Sequence, residues 1–396
     1  MGIIPAFVPS FAALSRRVPA EEPDLILDFR TDRHGRRYLY FPFATFSDSH
    51  LGTRMAEAKL ICRMLTYLRV DTLRYLGDGI DGADMHEKGQ WNWGRWHRQV
   101  LGHLFRMADE GTDVEGVPGN HDDRMCMKTI IFNGMQKLHR NMCGKAIGGV
   151  KVVEESRYVD PRDGHRITGR HGHEYDASLK GSGVGNAIVN WASYIDLVLC
   201  NLPKGLRISI VAEGQKLTRT VIDFVFQTQA KIARDLDLDP STDVLITGHT
   251  HKAGMWRTPG GKLMINDGSG AELAVKDANG TYGNVKWFED GISVKQEGKS
   301  WRFRSWDELG EPSFKNEPLL LENQYTALAD RVIRLIYRMW PPKERQRYRK
   351  NKRLGEAAQK TTYWESAGSI PLPNRRHILR QFKTATVEKP NVLEAV

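Results

Sequence analysis

Cysteine is scarce in this chain of 396 residues, and its four copies, Cys62, Cys126, Cys143 and Cys200, lie far apart. No pair has the spacing of a zinc knuckle or a thioredoxin-like redox site. Scattered thiols fit a reducing compartment and argue against a disulfide scaffold. Long apolar runs are missing too. Mean hydropathy is -0.49, and no stretch reaches the roughly 18 apolar residues of a spanning helix. The apolar N-terminal stretch from Ile3 to Leu14 is broken by Pro5 and Pro9, and Arg16 and Arg17 follow it. A secretory signal has the opposite order, so the expected location is the cytoplasm. There is no internal repeat and no motif that reads DNA or RNA bases.

Most of the chain also lacks an excess of either charge. The formal net charge is +10, yet residues 1–330 hold 42 basic and 43 acidic residues. Residues 331–353 hold ten Lys/Arg against Glu344 alone, and residues 354–396 hold six basic and four acidic residues. The positive charge is therefore local. It describes a possible docking segment and says little about the body of the protein.

What is present is globular: 40% hydrophobic and 27% charged residues, with ample material for a core. Strand patterns alternate with amphipathic helices. Strands are predicted at Leu39–Phe46, Leu73–Leu76, Asp113–Val117, Arg166–Thr168, Val244–Thr247, Leu263–Ile265, Val285–Phe288 and Ile292–Lys295. Helices are predicted near 54–68, 92–109, 186–200, 218–236 and 325–340. Turns are expected at Asp32–Arg36, Asp267-Gly268 and Asp290-Gly291. The domain reading is an N-terminal extension over 1–38, a catalytic domain over 39–305 and a basic C-terminal tail with an amphipathic helix over 306–396.

Ligand-type residues follow predicted strands repeatedly: Asp48 and His50, Asp78, Asn120 and His121, His171, then His249 and His251. Strand ends are where sites assemble in open α/β sheets. Glycines flank each cluster (Gly52, Gly77, Gly119, Gly172, Gly248) and permit tight turns and close backbone approach. The donors are oxygen and nitrogen without thiolate, a set suited to manganese, iron or zinc. They exceed what one tetrahedral ion needs and suit two ions sharing a carboxylate. Such a pair attracts phosphate and activates water. Any one of these histidines alone reads as a hydrogen-bonded structural residue; the ordered set does not.

Five motifs, Asp48-Ser-His50, Gly77-Asp78-Gly-Ile-Asp81, Gly119-Asn120-His121-Asp122, His171-Gly-His173-Glu-Tyr-Asp176 and Gly248-His249-Thr-His251, resemble in type and order those of the calcineurin-like metallophosphoesterases. The resemblance covers about residues 41–295. Ser47–Thr53, Trp91-Asn92-Trp93 and His171–Asp176 resemble the UDP-2,3-diacylglucosamine pyrophosphatase-like branch. The chain departs from it in two places: His121 stands where the lipid A pyrophosphatases carry Arg, and His173 where the branch has Asp.

The resemblance implies an α/β fold, a four-layer α/β/β/α sandwich of two mixed sheets flanked by helices. It implies two divalent metal ions, manganese first, with iron or zinc as alternatives. One would be held by Asp48, His50, Asp78 and His251, the other by Asp78, Asn120, His171 and His249, with His173 competing for the place of His171. His121 would protonate the leaving group or stabilise charge, oriented by Asp81, and a metal-activated hydroxide would be the nucleophile. The implied activity is hydrolysis of a phosphoester or pyrophosphate, on a nucleotide-linked or lipid-linked substrate. A nucleic-acid phosphodiesterase using the basic tail and a non-catalytic scaffold are the alternatives.

Asp122 reads as a cap for its turn or helix. Trp93 and Trp96 match the core face of the helix over 92–109, and Trp91 is free to line a pocket. The helix over 325–340 is either docked on the domain or aimed at an anionic membrane surface, with the inner membrane face as a peripheral location. The basic residues of 331–353 could also meet nucleic-acid phosphates.

Overall fold

A computed structural model describes residues 24–53, 56–81, 93–123, 151–175, 228–321 and 324–339. Its first sheet begins with β1 (Asp28–Thr31), which pairs antiparallel with the start of β2 (Arg37–Phe46) across the Asp32–Arg36 turn. The second half of β2 is buried on both faces, as a central strand requires. Helix α1 (Ala58–Tyr67) then runs straight into β3 (Leu68–Leu76), because Leu68 is already extended at φ -91° and ψ 138°. The strand therefore starts five residues before the predicted Leu73. Leu68, Val70 and Thr72 alternate inward and carry the strand pattern that early.

Helix α2 (Arg95–Asp109), β4 (Asp113–Val117), a single helical turn (Asn120–Asp123) and the short β5 (Lys151–Val152) follow. Strands β2, β3, β4 and β5 are parallel. The sheet is completed on the other side of β2 by antiparallel β11 (Glu272–Lys276), β12 (Tyr282–Trp287), β13 (Gly291–Lys295) and β14 (Arg302–Ser305). It is a nine-stranded mixed sheet.

The second sheet has five strands in the order β6 (Ser156–Val159), β7 (Arg166–Arg170), β8 (Val244–Thr247), β10 (Leu263–Asn266), β9 (Gly254–Arg257). It is parallel in the middle and antiparallel at its edges. Phe43, Leu76 and Val117 of the first sheet pack on Ile167, Ile246, Met255 and Ile265 of the second. Helix α3 (Thr228–Leu238) covers the far face of the second sheet with Ile232 and Leu236 against Leu245 and Met264. Helices α1 and α2 pack together beside the first sheet, and α4 (Gln324–Met339) packs on α2. The architecture is thus the expected α/β sandwich of two mixed sheets flanked by helices.

Three local readings need restating. The core face of α2 is made by His97, Val100, Leu101, Leu104 and Phe105, while Trp93 precedes the helix and Trp96 is half-buried. The helix starts at Arg95 behind extended Gly94, which takes Trp93 out of the helical phase. Helix α4 buries Leu328, Ala329, Val332 and Ile333, with Arg331 and Arg334 exposed, so this part of its apolar face is already covered by the domain. The third concerns Cys62, which is buried in α1; burial pushes its thiol up to about 12 and leaves it unreactive. Trp91, residues 340–353, the helix predicted near 186–200, the part of the 218–236 helix before 228, and the remaining cysteines lie outside the described residues.

Candidate active site

The C-terminal ends of β2, β3, β7 and β8 meet where the two sheets converge, and each delivers part of the cluster. The loop after β2 carries Asp48 and His50. The loop after β3 carries Asp78 and Asp81, and the helical turn after β4 carries Asn120 and His121. His171 follows β7, and His249 and His251 follow β8. All of these sequence-predicted residues are brought together.

The backbone marks the same residues. Among the described residues, the non-glycine positions with positive φ are Asp48, His50, Asp78, His249 and His251, at 44° to 64°. Such conformations cost of order 1 kcal/mol each for side chains of this kind and persist where the surroundings enforce them. Close glycine packing does the enforcing. A Cβ on Gly119 would meet Asp78 Oδ1 at 2.2 Å, and one on Gly77 would meet His171 Nδ1 at 2.4 Å.

Two groups of donors face each other across the cluster. In the first, Asp48, His50 and His251 offer ligand atoms within 4.8 Å of one another. His251 Nε2 is 2.8 Å and His50 Nε2 3.9 Å from Asp48 Oδ1, a buried atom. In the second, Asp78, His171 and His249 meet the same criterion. His171 Nε2 lies 3.2 Å from Asp78 Oδ2 and 3.1 Å from Asn120 Oδ1. His171 is buried beside these donors, whereas His173 opens a short 3-10 turn, half-buried, its ring centroid 5.4 Å from that of His171.

The outer nitrogens are tied down. His171 Nδ1 is 2.8 Å from the Leu76 carbonyl, so it carries the hydrogen and leaves Nε2 to face the acidic groups. Asp81 does the same for two rings, with Oδ2 3.0 Å from His50 Nδ1 and Oδ1 2.7 Å from His121 Nδ1. The carboxylate expected to orient His121 thus also orients a candidate ligand.

The carboxylates and imidazoles shift one another strongly. Burial pushes the Asp78 carboxyl up, but the adjacent His171 draws it well below the ordinary range. Burial disfavours charge on His171 as well, and Asp78 overrides it, pushing the imidazole up to about 10. Asp48 follows the same pattern with His251, and Asp81 with His121 and His50. Carboxylate oxygens and oriented imidazole Nε2 atoms that converge fit divalent cations.

Two residues beyond the predicted set shape the site. Asp122 is fully buried and accepts hydrogen bonds from the backbone N–H groups of Gly79, Ile80 and Gly119. It is a cap, as the sequence implied, but one that spans two loops and locks the Asp78 segment to the His121 segment. Burial and the neighbouring Asp78 push its carboxyl up to about 6. Asp267 lies beneath Asp48 and had read only as a turn residue.

No family model and no curated protein matches the chain. Among solved structures it is similar to a predicted phosphoesterase from Streptococcus pneumoniae, at 16% identity over 66% of this chain and 96% of that one, with a TM-score of 0.25. A dimetal phosphatase from Danio rerio matches at 15% identity over 67% of this chain and 99% of that one, TM-score 0.31. Vps29 from Chaetomium thermophilum matches at 11% identity over 66% and 92%, TM-score 0.26.

Proposed function

We propose that the chain is a dinuclear-metal-dependent phosphoesterase that cleaves a phosphoester or pyrophosphate bond. The observation that carries this reading is the coincidence of backbone strain with donor chemistry: among the described residues, every positive-φ Asp and His belongs to the converging set. Structural ion pairs need no such backbone, and a strained backbone filled with metal-type donors is a functional signature.

Asp48, His50 and His251 would hold one ion, His171, His249 and Asn120 the other, and Asp78 would bridge them. Divalent ions held there would neutralise phosphate charge and make water nucleophilic at neutral pH. The chain's own groups supply the rest. His121 is 28% exposed at its side chain, with Nε2 3.9 Å from Asp78 Oδ2, so it borders the cluster and is open to a substrate. It gives the proton on Nε2 to the departing oxygen while Asp81 holds Nδ1, a general-acid role. The ions expected are manganese first, then iron or zinc. The substrate expected is nucleotide-linked or lipid-linked, as in the UDP-2,3-diacylglucosamine pyrophosphatase-like branch, with His121 in place of that branch's Arg as a specific difference.

The test is hydrolysis of bis-p-nitrophenyl phosphate by the purified full chain with added Mn²⁺, followed by a phosphate-release screen over nucleotides, sugar nucleotides and nucleic acids. Activity that appears with Mn²⁺ and vanishes on chelation is the expected result. Robust turnover in a metal-stripped, chelated sample would overturn the reading.

A further inference from the structure

Asp267 is completely buried just after β10. Its carboxyl is nonetheless the start of a chain of contacts that ends at the site. Thr45 Oγ1 lies 3.0 Å from Asp267 Oδ2, and Ser47 Oγ lies 2.7 Å from Asp267 Oδ1. Ser47 Oγ also contacts Asp48 Oδ2. That same oxygen accepts the backbone N–H of His249 at 2.9 Å. Asp48 Oδ2 is therefore saturated, while Oδ1 of the same carboxylate is left facing His50 and His251.

The hydrogens can be counted. Ser47 has one hydroxyl hydrogen and sits between two carboxyl groups. It can donate to only one of them, so the three groups hold together best when one carboxyl carries a hydrogen of its own. Burial, with the charge of Asp48 added to it, also raises the Asp267 carboxyl well above the ordinary range. The backbone around it is fixed. Asp267 N–H donates to the Thr247 carbonyl, and Asn266 binds the Gly248 carbonyl through Nδ2 and the Gly268 N–H through Oδ1. There is no slack, since a Cβ on Gly248 would meet Ser47 Oγ at 2.2 Å and Asp48 Oδ2 at 2.6 Å.

We infer that Asp267 is a positioning residue: it acts through Ser47 to fix Asp48 Oδ2, so that Oδ1 is presented to a metal ion. This rests on the reading of Asp48 as a ligand. Asparagine can keep both contacts, its NH₂ donating to Ser47 and its oxygen accepting from Thr45. Alanine cannot.

The experiment is calorimetric titration of metal-free full chain with Mn²⁺ for the unaltered protein, D267N, D267A and S47A, with thermal unfolding of each metal-free form. Loss of outer-sphere support of this kind typically weakens metal binding by about 10- to 100-fold. D267A and S47A are expected to fall in that range, and D267N to regain most of the affinity. A merely structural role would lower the unfolding temperature and leave the affinity unchanged. Affinity unchanged in folded D267A and S47A, or D267N as weak as D267A, overturns the inference. S47A removes a single oxygen and decides the matter if D267A does not fold. Absence of Mn²⁺ binding by the unaltered protein would instead overturn the metal reading on which the inference rests.

Discussion

Two buried ionic clusters lie in this sandwich, and they are built differently. The Asp/His cluster at the strand ends stands on positive-φ backbone and sets imidazole nitrogens around its carboxylates. The second cluster joins the sheets through Lys276, which is 0% exposed on β11. Its Nζ is 2.7 Å from Asp160 and 2.5 Å from Asp163, both from the β6–β7 turn, and Arg162 closes on Asp160 from the side. Among the described residues no non-glycine position of this second cluster has positive φ, and neither Lys276 nor its acidic partners retain an unbonded buried polar atom. Burial of charge is thus no sign of function by itself. What separates the clusters is the backbone beneath them and the kind of partner, imidazole in one and ammonium or guanidinium in the other.

The largest expected effect tests the first cluster. Asp78→Asn or His249→Ala should reduce Mn²⁺-dependent phosphodiester hydrolysis to background. Both should leave the protein folded, because each removes a charge or donor from a strained arrangement. Retention of a tenth of the activity by either variant would place it with the structural cluster. His121→Ala should cost about 10²- to 10⁴-fold in turnover, the span for a general acid. Bound metal, measured by elemental analysis, should stay near that of the unaltered protein; loss of the metal instead would reassign His121 as a ligand.

The second cluster should fail in the opposite sense. Lys276→Met leaves buried Asp160 with Arg162 as its remaining cation and takes the lysine from Asp163, whose side chain is 32% exposed. Breaking a fully buried pair costs about 3–5 kcal/mol, and the remaining arginine brings the loss below that range. Urea unfolding should show that loss, while turnover per folded molecule stays unchanged. A variant that unfolds normally and loses activity would erase the distinction between the clusters.

The site was more legible in the sequence than the sheets that hold it. Asp and His residues recur after strands beside glycines, and those signals are local. The partner of Ser47 is 220 residues away, so the role of Asp267 had no local signature. Strand β11 was missed for a related reason. Its sequence, ELAVK, is made mostly of good helix formers, and only its place between β2 and β12 makes it a strand. Strand β1 was hidden in what read as an extension, because four residues with two charges show no clear period. The helix layer was legible where the 3.6-residue period was long, as in α2, and its phase was wrong only at the end where Gly94 breaks it.

Acid provides the mildest way to separate the clusters without a mutation. Burial alone would raise the Asp160 carboxyl, but hydrogen bonds from Arg162 and Lys276 outweigh it and hold it below its ordinary range; Asp163 is lowered too, by Lys276. A carboxyl depressed in the folded state binds its proton more readily when unfolded. Its contribution to stability is therefore complete above the unfolded value of about 4 and is lost as pH falls below it. In urea midpoints measured from pH 6 down to pH 3, the share of this cluster should hold steady to about 4 and then decline. In Lys276→Met the part of that decline due to this cluster should shrink, because one of the two cations that depress Asp160 and the cation beside Asp163 are gone. An identical decline in both proteins would mean that Lys276 does not set the acid response, and that the tie between the sheets is weaker than its geometry implies.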